Sequence, residues 1–173
     1  MKMDRVAASG NDEFYTPQYA IDPILKYIPP TTTVWCPFDT EQSLFVKTFY
    51  NRGNDVIFSH INDGYDFLAT DYPDCDFVVS NPPYSIKTEV LARLFQHNIP
   101  FAMLVGVVGL FESQRRFEMF RDNPFEIMYF NRRVAYLKDY EAQKAEVHPP
   151  FSSVYICSHV LPRQIVFEEI TKR

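Results

Sequence analysis

Short apolar segments alternate with helical segments along the first two-thirds of the chain. The apolar segments are rich in β-branched and aromatic residues, which are typical of buried strands. They cover residues 31–38, 55–61, 76–80 and 101–108. Helical segments are predicted over residues 44–50, 85–97 and 112–121. Apolar strands separated by helices favour a parallel sheet with helices on both of its faces.

The last third of the chain follows a different pattern. Residues 125–130, 153–159 and 164–169 resemble strands, and no helical segment separates them. We therefore predict an α/β fold with a mostly parallel sheet, helices on both faces and an antiparallel C-terminal edge. A length of 173 residues indicates a single domain. Residues 1–11 are small and polar, which favours a flexible arm.

The composition is that of a globular protein rather than a disordered one, with 46% hydrophobic and 23% charged residues. No apolar run approaches the roughly 20 residues that span a bilayer, and no signal peptide is recognisable, so no membrane association is expected. Cys36, Cys75 and Cys157 are far apart, which favours reduced thiols and a cytoplasmic protein. The four histidines are also widely separated, so no metal site is predicted.

The formal net charge is −5, whereas proteins that bind nucleic acids are more often basic. One short stretch is nevertheless rich in arginine. It contains Arg115, Arg116, Arg121, Arg132 and Arg133. We interpret Arg115, Arg116, Arg132 and Arg133 as candidate nucleic-acid-binding residues, and an ordinary solvated surface is the alternative.

Ligands of open parallel sheets bind at the carboxyl ends of the strands. Four loops leave those ends in the predicted sheet, and they begin at Pro37, His60, Asn81 and Gly106. The third loop reads Asn-Pro-Pro-Tyr over residues 81–84, between a buried strand and a helix. This segment, the double-proline loop, is the best candidate for an active site.

The double-proline loop has an unusual supply of hydrogen-bond acceptors. Pro82 and Pro83 fix two backbone torsion angles and remove two N–H donors, so carbonyl groups are available. Asn81 adds a side-chain acceptor, and Tyr84 adds an aromatic ring. Two acceptors beside a stacking ring suit an exocyclic amine such as N6 of adenine, whose lone pair is then prepared to attack an electrophilic methyl group. A rigid turn without a catalytic role is the alternative.

The chain resembles the S-adenosylmethionine-dependent DNA amino-methyltransferases, in particular small phage-type N6-adenine enzymes. The double-proline loop matches the catalytic motif of that family residue for residue. Residues 12–17 resemble the family's N-terminal cofactor-binding segment, and residues 63–67 resemble the loop that contacts the cofactor adenine. The resemblance covers roughly residues 12–160, and it implies a Rossmann-like methyltransferase fold.

The resemblance also implies roles for individual residues. S-adenosylmethionine is the implied cofactor, and Asn81, Pro82, Pro83 and Tyr84 are the implied catalytic residues. The implied cofactor-binding residues are Tyr15, Thr16, Pro17, Pro37, Phe38, Asp39, Asp63, Asp66 and Phe67.

The sequence departs from the family's pattern in two respects. Residues 36–43 contain no glycine, although the family's first cofactor loop is usually rich in glycine because the backbone must approach the ligand closely. A separate target-recognition domain is not recognisable either. Sequence choice is therefore expected to come from loops or from a second subunit, which would be a second copy or a partner protein.

We expect methyl transfer from S-adenosylmethionine to adenine N6 in DNA, in the host cytoplasm if the chain is phage-encoded. The same loop serves enzymes that act on cytosine N4, on adenine in RNA or on protein glutamine, so these substrates stay open. A different alternative is a binding or decoy module that keeps the fold without catalysis. The missing glycines and the negative charge favour that alternative.

Overall fold

The computed structural model describes residues 14–141, 145–147 and 149–171, with the backbone alone for residues 145–147. The flexible arm predicted for residues 1–11 lies outside the described residues. Within the described ranges, no helix combines the length and the apolarity that crossing a bilayer requires.

Strands and helices alternate along the first two-thirds of the described chain. The helices are α1 (Gln18–Leu25), α2 (Leu44–Asn51), α3 (Lys87–His97) and α4 (Gln114–Asp122). The strands are β1 (Thr33–Cys36), β2 (Asp55–Phe58), β3 (Phe77–Ser80), β4 (Phe101–Gly106), β5 (Glu126–Phe130), β6 (Tyr136–Leu137), β7 (Ala145–Val147), β8 (Ser153–Ser158) and β9 (Ile165–Glu168). Single 3-10 turns, Ile61–Asp63 and Tyr84–Ile86, follow β2 and β3.

Seven strands form one sheet in the order β2-β1-β3-β4-β8-β5-β9. Strands β2, β1, β3 and β4 are parallel neighbours, with Trp35 opposite Ile57 and Val78 opposite Phe101. Strand β8 runs antiparallel to both β4 and β5. The predicted antiparallel pairing in the C-terminal third is thus confirmed. The reversed strand lies inside the sheet, however, and the outermost strand β9 runs parallel to β5.

Helices cover both faces of the sheet, as predicted. Val34 and Cys36 of β1 belong to a buried apolar cluster that includes residues of α1 and α2. Trp35, between them, belongs to a second cluster on the opposite face, with residues of α3 and α4. Because successive side chains of a strand point to opposite faces, continuously buried strands must be covered on both sides.

A small second sheet pairs β6 with β7. The sequence pattern did not predict it. Its first strand also reaches the beginning of the described chain, because the Leu137 N–H donates a 2.8 Å hydrogen bond to the Tyr15 carbonyl. The same junction is fixed by Tyr19, whose hydroxyl accepts from the Ala135 N–H at 2.8 Å.

The strand directions decide where a site can form. Strands β1, β2, β3, β4 and β5 all run in one direction, so the loops that follow them meet at one edge of the sheet. The double-proline loop follows β3 at that edge. The junction of β6 with the segment before α1 provides two further groups of residues near the same loops.

Candidate active site

A cleft of about 430 Å³ opens at the carboxyl edge of the sheet. Its walls come from the loops after β1, β2 and β3, from the segment before α1 and from the residues after β6. Nine of the predicted site residues line it, namely Tyr15, Thr16, Phe38, Asp39, Asp66, Phe67, Asn81, Pro82 and Pro83. The volume lies within the ~300–1,000 Å³ that is usual for small-molecule sites.

The other four predicted catalytic and cofactor-binding residues do not line this cleft. Pro17 is buried at the N-cap of α1, and Pro37 is buried after β1. Asp63 is exposed at the end of the 3-10 turn that follows β2. Tyr84 instead lines a second cavity of only about 10 Å³.

Asp39 joins the loop after β1 to two neighbouring elements. One carboxylate oxygen accepts from the Ser43 hydroxyl at the N-cap of α2. The other accepts from the Ser80 hydroxyl at 2.5 Å, and Ser80 directly precedes the double-proline loop. The Asp39 N–H also donates to the Ser59 carbonyl after β2 at 3.0 Å. Asp39 is buried, so its two charge-assisted bonds and this backbone bond together fix the relative positions of three cleft loops.

An aromatic wall forms one side of the cleft. The Phe38 and Phe67 rings lie 5.0 Å apart between centroids. Arg93 of α3 fixes the Phe67 segment. Its guanidinium donates to the carbonyls of Phe67 and Thr70 and lies 5.7 Å from the centre of the Phe67 ring. The segment from Asp66 to Thr70 is therefore anchored to a long helix rather than left as a free loop.

Asn81 faces the cleft in a fixed orientation. Its amide nitrogen donates to the Phe14 carbonyl at 2.8 Å and to the Thr16 hydroxyl at 3.2 Å. Both amide protons are thus used by the segment before α1. The side-chain carbonyl oxygen is not used by those partners, and it accepts no hydrogen bond from the described residues. The lining of the cleft therefore contains an acceptor beside Pro82.

The small second cavity adjoins the cleft at the double-proline loop. Asn81 and Pro82 line both cavities, whereas Tyr84, Gly106 and Phe151 line only the second. The rings of Tyr84 and Phe151 are 5.1 Å apart between centroids and tilted by 36°. Burial raises the pKa of the Tyr84 hydroxyl, so this ring stays neutral at physiological pH.

Three residues after β6 belong to the cleft although the sequence pattern did not suggest them. They are Asp139, Tyr140 and Glu141. Tyr140 packs against Tyr15, with 4.7 Å between ring centroids. A strand of two residues is too short to show a periodic sequence pattern. Its position beside the cleft follows from the pairing of Leu137 with Tyr15, which is visible in the structure alone.

The lining of the cleft is acidic. It contains four carboxyl groups, on Asp39, Asp66, Asp139 and Glu141, and no lysine or arginine of the described chain. Such a lining favours a ligand with positive charge and disfavours phosphate groups. His60 of the lining accepts from the Asn62 N–H through Nδ1 at 3.1 Å. Among the residues that the structure covers, no group of His, Cys, Asp and Glu could hold a metal ion.

The four candidate nucleic-acid-binding arginines fall into two pairs. Arg115 forms a 3.2 Å ion pair with Glu89, and Arg116 donates to the Thr88 hydroxyl at 2.8 Å and to the Gly109 carbonyl. Arg132 and Arg133 are exposed in the loop after β5, where neither has an ion pair within the described ranges. The second pair is therefore the more available of the two to an external anion.

Comparison with solved structures identifies the fold. The methyltransferase subunit of a type I restriction-modification system from Streptococcus thermophilus matches 91% of this chain with a TM-score of 0.54 and 14% identity. A dimethyladenosine transferase from Plasmodium falciparum matches 84% with 0.53 and 12%. A TehB-like SAM-dependent methyltransferase from Corynebacterium glutamicum matches 91% with 0.51 and 13%.

The matched chains differ in length. This chain covers 47% of the restriction-modification subunit, 62% of the dimethyladenosine transferase and 94% of the TehB-like protein. No protein-family model and no curated protein sequence matches the chain. The similarity is thus one of architecture, and the chain adopts the Rossmann-like methyltransferase fold.

Proposed function

We propose that this chain transfers a methyl group from S-adenosylmethionine to the exocyclic N6 amine of adenine in DNA. One observation carries the proposal. Asn81 and Pro82 line both a ligand-sized acidic cleft and a small aromatic cavity. Residues shared in this way suit the meeting point of a methyl donor and a flat acceptor ring.

The residues of the large cleft fit the proposed donor. S-adenosylmethionine supplies an electrophilic methyl group on a positively charged sulfur. Asp39, Asp66 and the acidic residues after β6 suit its sulfonium and ammonium charges. The Phe38 and Phe67 rings offer apolar faces for its adenine. The absence of glycine in residues 36–43 leaves side chains rather than bare backbone as the main contacts there.

The double-proline loop fits the proposed acceptor. The Asn81 side-chain oxygen and the Pro82 carbonyl would accept the two N–H bonds of the exocyclic amine. The amine nitrogen then bonds to the methyl carbon as the carbon–sulfur bond breaks, and one N–H proton leaves to solvent. Alignment of the two reactants supplies most of the rate, and no covalent bond to the protein is needed.

The aromatic cavity supports a planar acceptor. An adenine in duplex DNA is paired and stacked, so it must be extruded before its amine can reach Asn81. Tyr84 and Phe151 present two rings at the position where such a base would stack. The dimethyladenosine transferase and the restriction-modification subunit share this fold, and the former is named for an adenine nucleoside. These likenesses favour a nucleobase over a protein glutamine.

The test is methyl incorporation from labelled S-adenosylmethionine into DNA, RNA and protein, followed by nucleoside analysis. We expect label in N6-methyladenine of DNA. Label in N4-methylcytosine, in RNA or in protein would replace the substrate and keep the reaction class.

Asn81→Ala tests the role of the loop. Loss of one preorganised polar contact at the reacting group is expected to lower kcat by about 100- to 1,000-fold while the donor affinity is retained. Asn51→Ala is the matched control, since Asn51 is exposed at the end of α2, away from the cleft. Equal activity of the two variants would contradict the proposed role of Asn81.

A second candidate function is a binding module without catalysis. The small size of the aromatic cavity, about 10 Å³, and the glycine-free loop favour it. Calorimetry with S-adenosylmethionine discriminates the two functions. Binding in the micromolar range supports the enzyme, whereas no heat at millimolar donor supports the module.

A further inference from the structure

Lys87 is a buried lysine beside the aromatic cavity. It is the first residue of α3 and follows Tyr84 by three positions. Only 4% of its surface is exposed. Lysine is rarely buried to this extent, because taking its ammonium group out of water is costly unless the charge is well solvated by the protein.

Main-chain carbonyls and an aromatic face surround the ammonium group. Lys87 Nζ donates to the Gly106 carbonyl at 3.3 Å and to the Val108 carbonyl at 3.1 Å. The same nitrogen lies 4.6 Å from the centre of the Tyr84 ring, which is within the range of a cation–π interaction. Lys87 therefore connects the double-proline loop to the loop that follows β4.

We propose that Lys87 is a positioning residue for methyl transfer, whose ammonium group holds the Tyr84 ring in place for the acceptor. The proposal rests on the proposed function of the same site. Lys87 lines the aromatic cavity but not the donor cleft, and both of its hydrogen bonds go to main-chain carbonyls. We therefore assign it a role through the Tyr84 ring, which its ammonium group contacts.

The charges around Lys87 make this role depend on pH. Burial, with a smaller contribution from Arg116, lowers the pKa of Lys87 to about 8. The hydroxyls of Tyr84 and Tyr136, which line the same cavity, have pKa values raised by burial. Lys87 thus loses its proton first as the pH rises. The ring is held below about pH 8, and the cation–π contact is lost above it.

A merely structural lysine would behave differently. If Lys87 only filled space, the Tyr84 ring would not respond to its protonation, and a methionine of similar length would replace it. If the charge matters, arginine restores the function of lysine, since it keeps a cation at every pH used.

The decisive measurement is NMR of the full chain with ¹³C-labelled tyrosine rings, with the Tyr84 signal assigned from Tyr84→Phe. We expect this signal to titrate with a midpoint near pH 8 in the wild-type chain. In Lys87→Met and Lys87→Arg the titration is absent over the same range. A wild-type signal that does not move, or one that moves equally in Lys87→Met, would overturn the proposal.

Kinetics supply the second readout. Wild-type kcat falls above pH 8, and Lys87→Met lowers kcat at pH 7 by about tenfold without changing the donor affinity. Lys87→Arg recovers most of that loss and has no decline near pH 8. Thermal unfolding of each variant identifies any loss of folding. If Lys87→Met fails to fold, the pH profiles of the wild-type chain and Lys87→Arg, which both carry a cation at residue 87, decide whether the charge matters. A wild-type chain that methylates no acceptor contradicts the proposed function, while the NMR midpoint still decides whether Lys87 holds Tyr84.

Discussion

The two cavities beside the double-proline loop differ in size and in chemistry. The donor cleft has a volume of about 430 Å³ and is lined by carboxyl, amide and aromatic groups from several loops. The aromatic cavity has a volume of about 10 Å³ and is lined by the packed rings of Tyr84 and Phe151. Asn81 and Pro82 belong to both. The donor cleft is large enough to hold a ligand without rearrangement, and the aromatic cavity is not.

This difference predicts an order of events. A donor can enter the large cleft without rearrangement, because the loops after β1, β2 and β3 are already bonded to one another through Asp39. An acceptor ring can enter only when the Tyr84 and Phe151 rings move apart, since a cavity of about 10 Å³ has room for no more than a water molecule. Side-chain movement on binding is common even where the backbone stays fixed.

Gly106→Ala is expected to have the largest effect on this comparison. A Cβ at this position would lie 2.9 Å from Phe151 Cδ2 and 3.0 Å from Tyr84 Cε2, so both rings must shift. Displacement of the acceptor rings should lower kcat/KM for the acceptor on the order of a hundredfold. Donor affinity, measured by calorimetry, should stay within about twofold of wild type, since the overpacking strain arises outside the donor cleft.

The double variant Gly106→Ala/Phe151→Leu is the control for strain. Removal of the Phe151 ring relieves the overlap, so its thermal midpoint should recover relative to Gly106→Ala. If Gly106→Ala weakened the donor and the acceptor equally, the two cavities would not be independent.

Local patterns in the sequence were sufficient to identify the strands of the large sheet, although not the position of the reversed strand β8 inside it. Strands such as β1 and β4 are apolar on both faces, and α3 repeats its buried residues at helical spacing, so each element can be identified without its neighbours. The double-proline loop was found in the same way, since prolines restrict the backbone wherever they occur. Its position between two cavities required the structure.

Other parts of the site depend on contacts between distant residues. Asp139 and Glu141 reach the cleft because β6 pairs with Tyr15, and no local pattern indicates that pairing. Asp63 and Asp39 illustrate the same limit. Both are acidic residues of loops after strands, yet Asp39 is buried between two serines and Asp63 is exposed outside the cleft.

Asp39→Asn is expected to have the next largest effect, on the donor side. An amide is neutral and has one oxygen acceptor, so the bonds from Ser43 and Ser80 both lose their charge assistance and one of the two hydroxyls loses its acceptor. The loss of a negative charge from the acidic cleft should weaken the cationic donor as well. We expect donor affinity to fall by about tenfold in calorimetry, with a lower thermal midpoint.

Asp63→Asn is the matched control for that change. It removes the same charge from an exposed residue that does not line the cleft, so donor affinity should be unchanged. A loss in Asp63→Asn equal to that in Asp39→Asn would mean that the donor extends to the turn after β2. The donor-binding site would then include that turn.

The smallest effect concerns DNA affinity, to which the two arginine pairs should contribute differently. Replacement of both Arg132 and Arg133 by serine removes two exposed charges from the loop after β5. DNA affinity should fall only a few-fold at about 0.1 M salt, and the slope of log K against log salt should become shallower by about 0.5, which is the change that a few-fold loss over one decade of salt requires. Arg115→Ser should change that slope little, because Arg115 is already paired with Glu89. Filter binding over a series of salt concentrations measures both variants. An equal change in slope would show that the ion pair between Arg115 and Glu89 opens when DNA binds. The basic surface would then extend along α4. A smaller change in Arg115→Ser would confine the phosphate contacts to the loop after β5.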